Sequence, residues 1–427
     1  MFKIFLADIK DRHCFVWDSS MMMLSGGLAG ALFFIFHAVM KRMLGDVDYA
    51  SLVSLLGLLN VMGLPMTAIA FTMTRFVAEH AEANAVVVWT TIFKRALRKM
   101  SVVAGGGLLI WIIFSDWLAD FFGAPSVASI VILGMIAAGG LLMPIIVGVL
   151  QGAQDFKHLA LITIISPLLR LIMCIGAVLI GARVAGVMGA IAVSFALTMV
   201  LAIAPFKTVL SETDPIDGYD TSRIYKYMLP IFLSQGALLI LTNADIIFFK
   251  RFLYGEYLEI APGFAQAATL SRAVIFIAQP LAMAMFPRAV SSRRRVLFWG
   301  PLIVAAVASL ALGLFITINP ALPFRLMYAN HDPACHAIAR RYVWAAMPLS
   351  LTWIVLKYVW ARDNIRGAMQ LIPVVALYLI VLYFNHTTPN RIIASLAIGS
   401  SLALAVLLRA VFCKSKAHEL DGDSEAE

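Results

Sequence analysis

Charge is scarce in this sequence: Asp, Glu, Lys and Arg make up 13% of 427 residues, against 62% hydrophobic residues. No soluble domain hides that much apolar surface, and the mean hydropathy of +0.91 places the chain in a bilayer. The phosphate-cradling GxxxxGK(S/T) loop is missing, which excludes ATP hydrolysis by that route; HExxH and GxSxG are absent too. The four cysteines, Cys14, Cys174, Cys335 and Cys413, lack CxxC spacing, and only Cys335 is expected on the outer face, which argues against a disulfide framework. Eight histidines (His13, His37, His80, His158, His331, His336, His386 and His418) form no ligand cluster, and His331 and His336 read as solvated in one outer loop. No metal, cofactor or catalytic residue is therefore expected. A cleavable signal is not evident either, because Asp8, Lys10, Asp11, Arg12 and Asp18 interrupt the first eighteen residues.

What is there is a series of continuous apolar runs. They do not alternate, so a β-barrel is excluded and the expected fold is all-α, since lipid admits only helices or closed barrels. Twelve transmembrane helices of about 20 residues are predicted, near 19–40, 50–74, 100–122, 127–152, 159–182, 185–206, 227–249, 262–287, 296–319, 342–361, 369–384 and 391–412. The stretch from Arg75 to Met100 reads as a helix on the cytoplasmic surface, and Asp116 and Asp120 as interfacial residues beside Trp111 and Trp117. Gly26 with Gly30, and Gly148 with Gly152, form two GxxxG pairs suited to helix packing. Pro65, Pro144, Pro167, Pro230, Pro280, Pro348 and Pro373 are expected to bend or break spans.

An internal echo divides the chain. Lys41-Arg42-Met43-Leu44, after the first run, reappears as Lys250-Arg251-Phe252-Leu253 after the seventh; Pro65 is matched by Pro280 and Arg75 by Arg288. The offsets, 209, 215 and 213 residues, agree once a longer loop in the second copy is allowed. The reading is two six-helix bundles related by a parallel pseudo-two-fold repeat. Residues 1–206 form the N-terminal bundle, 207–226 a polar cytoplasmic linker, 227–412 the C-terminal bundle and 413–427 a disordered cytoplasmic tail. Basic residues in the segments on the N-terminal side outnumber those on the other side by more than two to one. That imbalance predicts both termini in the cytoplasm, and it makes the net charge of +9 a matter of topology and anionic lipid contact, with no nucleic acid.

Three basic residues fall inside predicted spans: Arg170, Arg272 and Lys357. Each costs about 2.5–3.5 kcal/mol at a lipid-facing helix centre, so protein or water is expected around it. Thr163, Ser166, Pro167, Arg170 and Cys174 lie at i, i+3, i+4, i+7 and i+11, on one face of the fifth span, with Leu and Ile covering the rest. By the same arithmetic Thr269, Arg272 and Gln279 share a face of the eighth span, and Ser234, Thr242 and Asp245 a face of the seventh, with Asn243 pointing elsewhere. Two readings stand: a cationic lumen that grips an anionic headgroup with bidentate guanidinium donors, or an interhelical ion pair such as Asp245 with Arg272. Lys357 either faces the lumen or snorkels to the cytoplasmic interface. Asp245 is also the candidate ion-coupling residue.

The stretch from Asn243 to Arg288, with NADIIFFKRFL and FAQAATLSRAVIFIAQPLAMAMFPR, resembles the seventh and eighth spans of bacterial polysaccharide and oligosaccharide flippases (polysaccharide biosynthesis proteins) of the multidrug/oligosaccharidyl-lipid/polysaccharide exporter superfamily. Tyr342 to Asn364, YVWAAMPLSLTWIVLKYVWARDN, is similar to the tenth span of that family, with weaker agreement over Gly45–Arg75 and Leu141–Phe156. The resemblance implies a central cavity between two bundles, and a multi-pass carrier of the bacterial inner membrane. By alternating access such a carrier moves a polyprenyl-diphosphate-linked oligosaccharide or related glycoconjugate precursor. Arg170 and Arg272 fit the lumen cations it implies, while Lys357 stands where it implies an uncharged polar residue. Substrate-binding roles are expected for Arg170, Arg272, Lys357, Thr163, Ser166, Thr269 and Gln279. The expected partners are the lipid-linked oligosaccharide, membrane lipids and a glycan polymerase or other assembly protein. The alternatives are a cation-coupled multidrug antiporter of the same superfamily and a membrane glycan polymerase or ligase.

Overall fold

The computed structural model describes residues 2–79, 85–122, 126–206, 222–253, 261–292, 296–328 and 332–423, with Ala124 and Arg294. No strand occurs among them, and eleven helices are long and apolar enough to cross a membrane. The chain divides into two compact units, Met1–Met228 and Leu229–Glu427.

In the first unit, α1 (Phe2–Met62) is broken at Gly45, whose φ of 77° suits a residue without Cβ. The membrane-length part is Trp17–Gly45. A second interruption at Gly63 precedes α2 (Leu64–Glu79). Pro65, in the first turn of α2, has no N–H to continue the preceding ladder, and its ring crowds the carbonyl four residues back. The span predicted over 50–74 is thus two helical pieces, and it is absent from the eleven for that reason.

The third helix also departs from expectation. α3 (Ala85–Ile113) contains Lys94, Arg95, Arg98 and Lys99 within its length, so the surface helix expected between Arg75 and Met100 is in large part the N-terminal extension of the third span. Arg98 and Lys99 are exposed while Lys94 and Arg95 are half-buried. Charge ended the apolar run without ending the helix. The remainder of the predicted third span is a separate short helix, α4 (Ser115–Phe122), which carries Asp116 and Asp120.

α5 (Val127–Gly152) starts at a Ser126 cap whose hydroxyl accepts from the Ser129 amide, and α6 (Phe156–Leu179) at Asp155, which accepts from His158. Gly181, at φ 85°, ends α6 with an Ala182 amide to Ala177 carbonyl bond of the Schellman type. α7 (Val184–Ile203) runs into a short 3-10 turn. α5 is the centre of this unit, packed on α2, α3 and α7, while α1 packs on α6. A Cβ on Gly148 would stand 2.5 Å from the Met73 Cβ, and one on Gly152 2.7 Å from the Thr74 carbonyl. This GxxxG pair is therefore a packing seam. Gly30 of the other pair has nothing within 4 Å of its Cβ position.

α8 (Ser222–Phe248) begins at the end of the first unit and continues into the second. Most of the expected linker, 207–221, lies outside the described residues, and its last residues, from Ser222, already belong to α8. Lys250 and Arg251 sit in a π-helical turn, Phe249–Leu253, that extends α8. α9 (Ala261–Ser271) and α10 (Ala273–Ser291) are separated by Arg272 alone. The breaks at Gly63 and Arg272 stand 209 residues apart, the offset of the KRxL echo.

Then follow α11 (Val296–Ile318), α12 (Ala321–Tyr328), α13 (Pro333–Ala361), α14 (Ile365–Met369), α15 (Leu371–Phe384) and α16 (Pro389–Asp423). α13 is the hub here, packed on α9, α10, α11 and α16. The outer loop expected around His336 is helical over α12 and the first turns of α13, which bury Cys335 and half-bury His336, while His331 lies outside the described residues. α16 also runs to Asp423, through the segment read as a disordered tail: Lys414-Ser-Lys-Ala-His-Glu-Leu420 contains no Gly or Pro to stop it.

Candidate functional site

In the first unit the site is built on α6. Leu161, Leu168, Ile172 and Leu179 form its exposed stripe, with Leu161 at 53% and Ile172 at 57%. On the opposite stripe Thr163, Ser166, Pro167 and Arg170 are half-buried, and Cys174 is buried. The helical arithmetic thus separates a lipid-type face from a protein-type face.

The Thr163 hydroxyl donates back to the Leu159 carbonyl at 2.8 Å. Arg170 does something rarer. It makes no ion pair and no hydrogen bond among the described residues, and its Nε is fully buried without an acceptor. Its electrostatic neighbours are His37, on α1, and Cys174. Burying a guanidinium without an acceptor is costly, so this side chain is not there to hold the bundle together.

His37 escaped the sequence reading. Its Nδ1 lies 3.0 Å from the Tyr49 hydroxyl, which reaches it across the Gly45 break. Phe33, Phe36 and Tyr49 surround the imidazole edge-on, with centroids at 4.4, 5.3 and 6.1 Å. Only the twelve-residue spacing to a tyrosine beyond a glycine hinted at this contact.

The second unit treats its cations differently. Arg272 Nη2 lies 2.6 Å from Asp245 Oδ1 and 2.9 Å from the Tyr342 hydroxyl. Tyr342 in turn donates to the other oxygen of Asp245. Asp245 is wholly buried and the Arg272 side chain is 12% exposed. Of the two readings left open, the structure shows the ion pair. Beside it the Tyr378 hydroxyl is buried with no hydrogen-bond partner among the described residues. Of the three residues read as sharing a face of the eighth span, Thr269 is exposed, Gln279 is half-buried and Arg272, at the one-residue turn between α9 and α10, turns to Asp245.

Lys357 does not snorkel. It is 1% exposed, its Nζ donates to Gln235 Oε1 at 2.5 Å and lies 3.7 Å from the Trp360 ring centroid. Trp360 Nε1 donates to Ser234 at 3.0 Å. Ser234, Thr242 and Asp245 are all buried, as their shared face requires, and Asn243 spends its amide on the Leu239 carbonyl. Among the described residues no group of three or more His, Cys, Asp or Glu is placed to hold a metal ion.

No protein-family model matches the sequence. No curated protein does either. Solved structures do match over nearly the whole chain. A MATE transporter in a bent conformation superposes with a TM-score of 0.80 at 14% identity, covering 96% of this chain and 97% of that one. A point mutant of the Vibrio cholerae MATE transporter VcmN gives 0.78 at 12% identity over 95% and 97%. A MOP superfamily transporter from Pyrococcus furiosus, described as having a binding pocket of reverse polarity that suggests a different function, gives 0.76 at 15% identity over 94% and 95%. These likenesses establish the fold: the two-bundle helical fold of MATE transporters of the MOP superfamily.

Proposed function

We propose that this chain is a multi-pass carrier of the bacterial inner membrane, with cytoplasmic termini. Its cargo would be a polyprenyl-diphosphate-linked oligosaccharide or related glycoconjugate precursor, flipped between leaflets by alternating access. The observation that carries this is Arg170: a half-buried guanidinium on the protein face of α6, with no acceptor among the described residues. A fixed cation of that kind suits a diphosphate or an acidic sugar, which supplies the missing acceptors in bidentate form. Thr163 and Ser166, on the same stripe, are the polar neighbours for the sugar. Arg272 and Lys357 would contribute only by leaving the contacts described above, and with the exposed Thr269 and half-buried Gln279 they stand as secondary binding residues. A glycan polymerase or other assembly protein, together with membrane lipids, completes the set of partners.

The likeness to MATE transporters favours a second reading, a cation-coupled drug antiporter. Such a carrier needs a carboxylate free to exchange a cation inside a span. Asp245 is already balanced by Arg272 and Tyr342, and Asp48 accepts from Arg183 at 3.1 Å. Both observations favour the anionic cargo.

The test is Arg170→Ala in a strain that depends on the carrier. Membrane insertion is expected to be unchanged while lipid-linked sugar accumulates on the inner leaflet and surface glycan falls. Normal surface glycan in this variant overturns the reading, and restored drug efflux by the wild-type chain would support the antiporter instead.

A further inference from the structure

The first unit holds a second unused donor beside Arg170. The Tyr49 hydroxyl and His37 Nδ1 share a hydrogen bond of 3.0 Å, and in the neutral tautomer in which the hydroxyl donates, the ring proton resides on Nε2. A protonated ring carries a proton there as well. Nε2 makes no hydrogen bond among the described residues. The aromatic frame of Phe33, Phe36 and Tyr49 fixes the ring plane. α1 packs on α6, and Phe36 and Met40 share one buried cluster with Cys174, one turn beyond Arg170, so His37 and Arg170 stand on neighbouring helices at the same level; Cys174 is buried with its thiol toward the Val187 carbonyl.

We infer that His37, oriented by Tyr49, is a second anion anchor that acts with Arg170 and makes the site selective for a phosphate-type group with several charged oxygens over a monocarboxylate. This rests on the reading of Arg170 given above. A carboxylate is saturated by one guanidinium fork, whereas a diphosphate has oxygens left over for a donor on another helix. His37 and Tyr49 are half-buried at the edge of the core, where Phe36 and Met40 are buried within it, so both can be changed without removing the core.

The experiment uses the purified full-length chain in phosphatidylcholine nanodiscs, titrated calorimetrically with sodium pyrophosphate and with sodium acetate. His37→Leu is expected to weaken pyrophosphate about tenfold, the effect of losing one charge-assisted hydrogen bond, with acetate unchanged. His37→Gln, which keeps a donor near the Nε2 position, is expected to recover most of the loss, and Tyr49→Phe to fall between the two. Pyrophosphate binding by His37→Leu equal to wild type, or an equal loss for both anions, overturns the inference. If Arg170→Ala abolishes binding while His37→Leu does not, only this inference fails. If Arg170→Ala binds pyrophosphate as wild type does, or the wild type binds neither anion, the parent reading fails with it. Repeating the titration in nanodiscs containing phosphatidic acid is expected to lower the apparent pyrophosphate affinity through competition by the lipid phosphate; unchanged affinity overturns a lipid-borne source for the group.

Discussion

The central helices of the two units are held by different forces. α5 meets its neighbours through glycine: a Cβ on Gly134, Gly140, Gly148 or Gly152 would lie within 2.3–2.6 Å of Trp111, Met66, Met73 or Val77. α13 meets its neighbours through polar side chains. Tyr342 bonds Asp245, Ser350 lies 3.0 Å from Ser309, the Ala345 carbonyl accepts from Ser400 at 2.9 Å, and Lys357 bonds Gln235. Hydrocarbon offers no hydrophobic drive between helices, which leaves close backbone approach or interhelical hydrogen bonds as the means of association. Each central helix leans toward one of them, although α5 also accepts from Trp111 at its Ile130 carbonyl, at 2.8 Å. The lesson concerns charge: where polar bonds do the packing, Arg272 and Lys357 are structural, and where glycine does it, Arg170 is left over.

The sharpest way to break this comparison is to unbalance the second unit. Asp245→Ala strands a largely buried guanidinium and is expected to destabilise by about 3–5 kcal/mol, read as a fall in thermal midpoint by tryptophan fluorescence. The double variant Asp245→Leu with Arg272→Met is expected to recover most of it. Should the single variant melt like wild type, the triad is not structural.

Next in size is the glycine seam. Gly152→Ala drives a methyl against the Thr74 carbonyl and Val77, with an expected cost of about 1–3 kcal/mol, while Gly30→Ala, which meets nothing, should stay within about 0.5 kcal/mol of wild type. Equal melting of the two would deny the seam its role. Smaller again, Ser350→Ala removes one interhelical bond and should cost about 0.6 kcal/mol by the same melting measurement. Smallest is Arg170→Ala, expected within about 0.5 kcal/mol of wild type in stability although transport is lost. A large destabilisation there would make Arg170 as structural as Arg272.

How far the sequence foretold this depends on whether a helix is continuous. On unbroken α6 the spacing of Thr163, Ser166, Arg170 and Cys174 gave the right face, Pro167 notwithstanding. At Arg272 a one-residue turn parts α9 from α10, and there Thr269 is exposed and Gln279 half-buried while Arg272 turns to Asp245. Hydropathy located eleven spans and still counted 50–74 as one span, although Pro65 is expected to bend or break it, and it misplaced the start of α3 because Lys94 to Lys99 are polar yet helical. The Asp245–Arg272 pair, 27 residues apart, was visible as one of two options that only coordinates separate. His37 stood in the sequence only as one of eight unclustered histidines, since its meaning depends on a tyrosine brought back by one left-handed glycine.

The contact of α2 with α5 is uneven along its length. Near Gly148 and Gly152 it is tight and carries a Thr74 to Gln151 side-chain bond of 3.3 Å. Toward Gly134 it is side-chain ends, those of Met66 and Trp111, that approach α5, and beside them lies an apolar recess of 340 Å³ between Met62, Pro65, Trp111 and Leu141. A rod pinned at one end with slack at the other tilts about the pin. Any swing of α2 within this unit therefore has its fulcrum at Gly152, and its free tip at the Gly63 discontinuity.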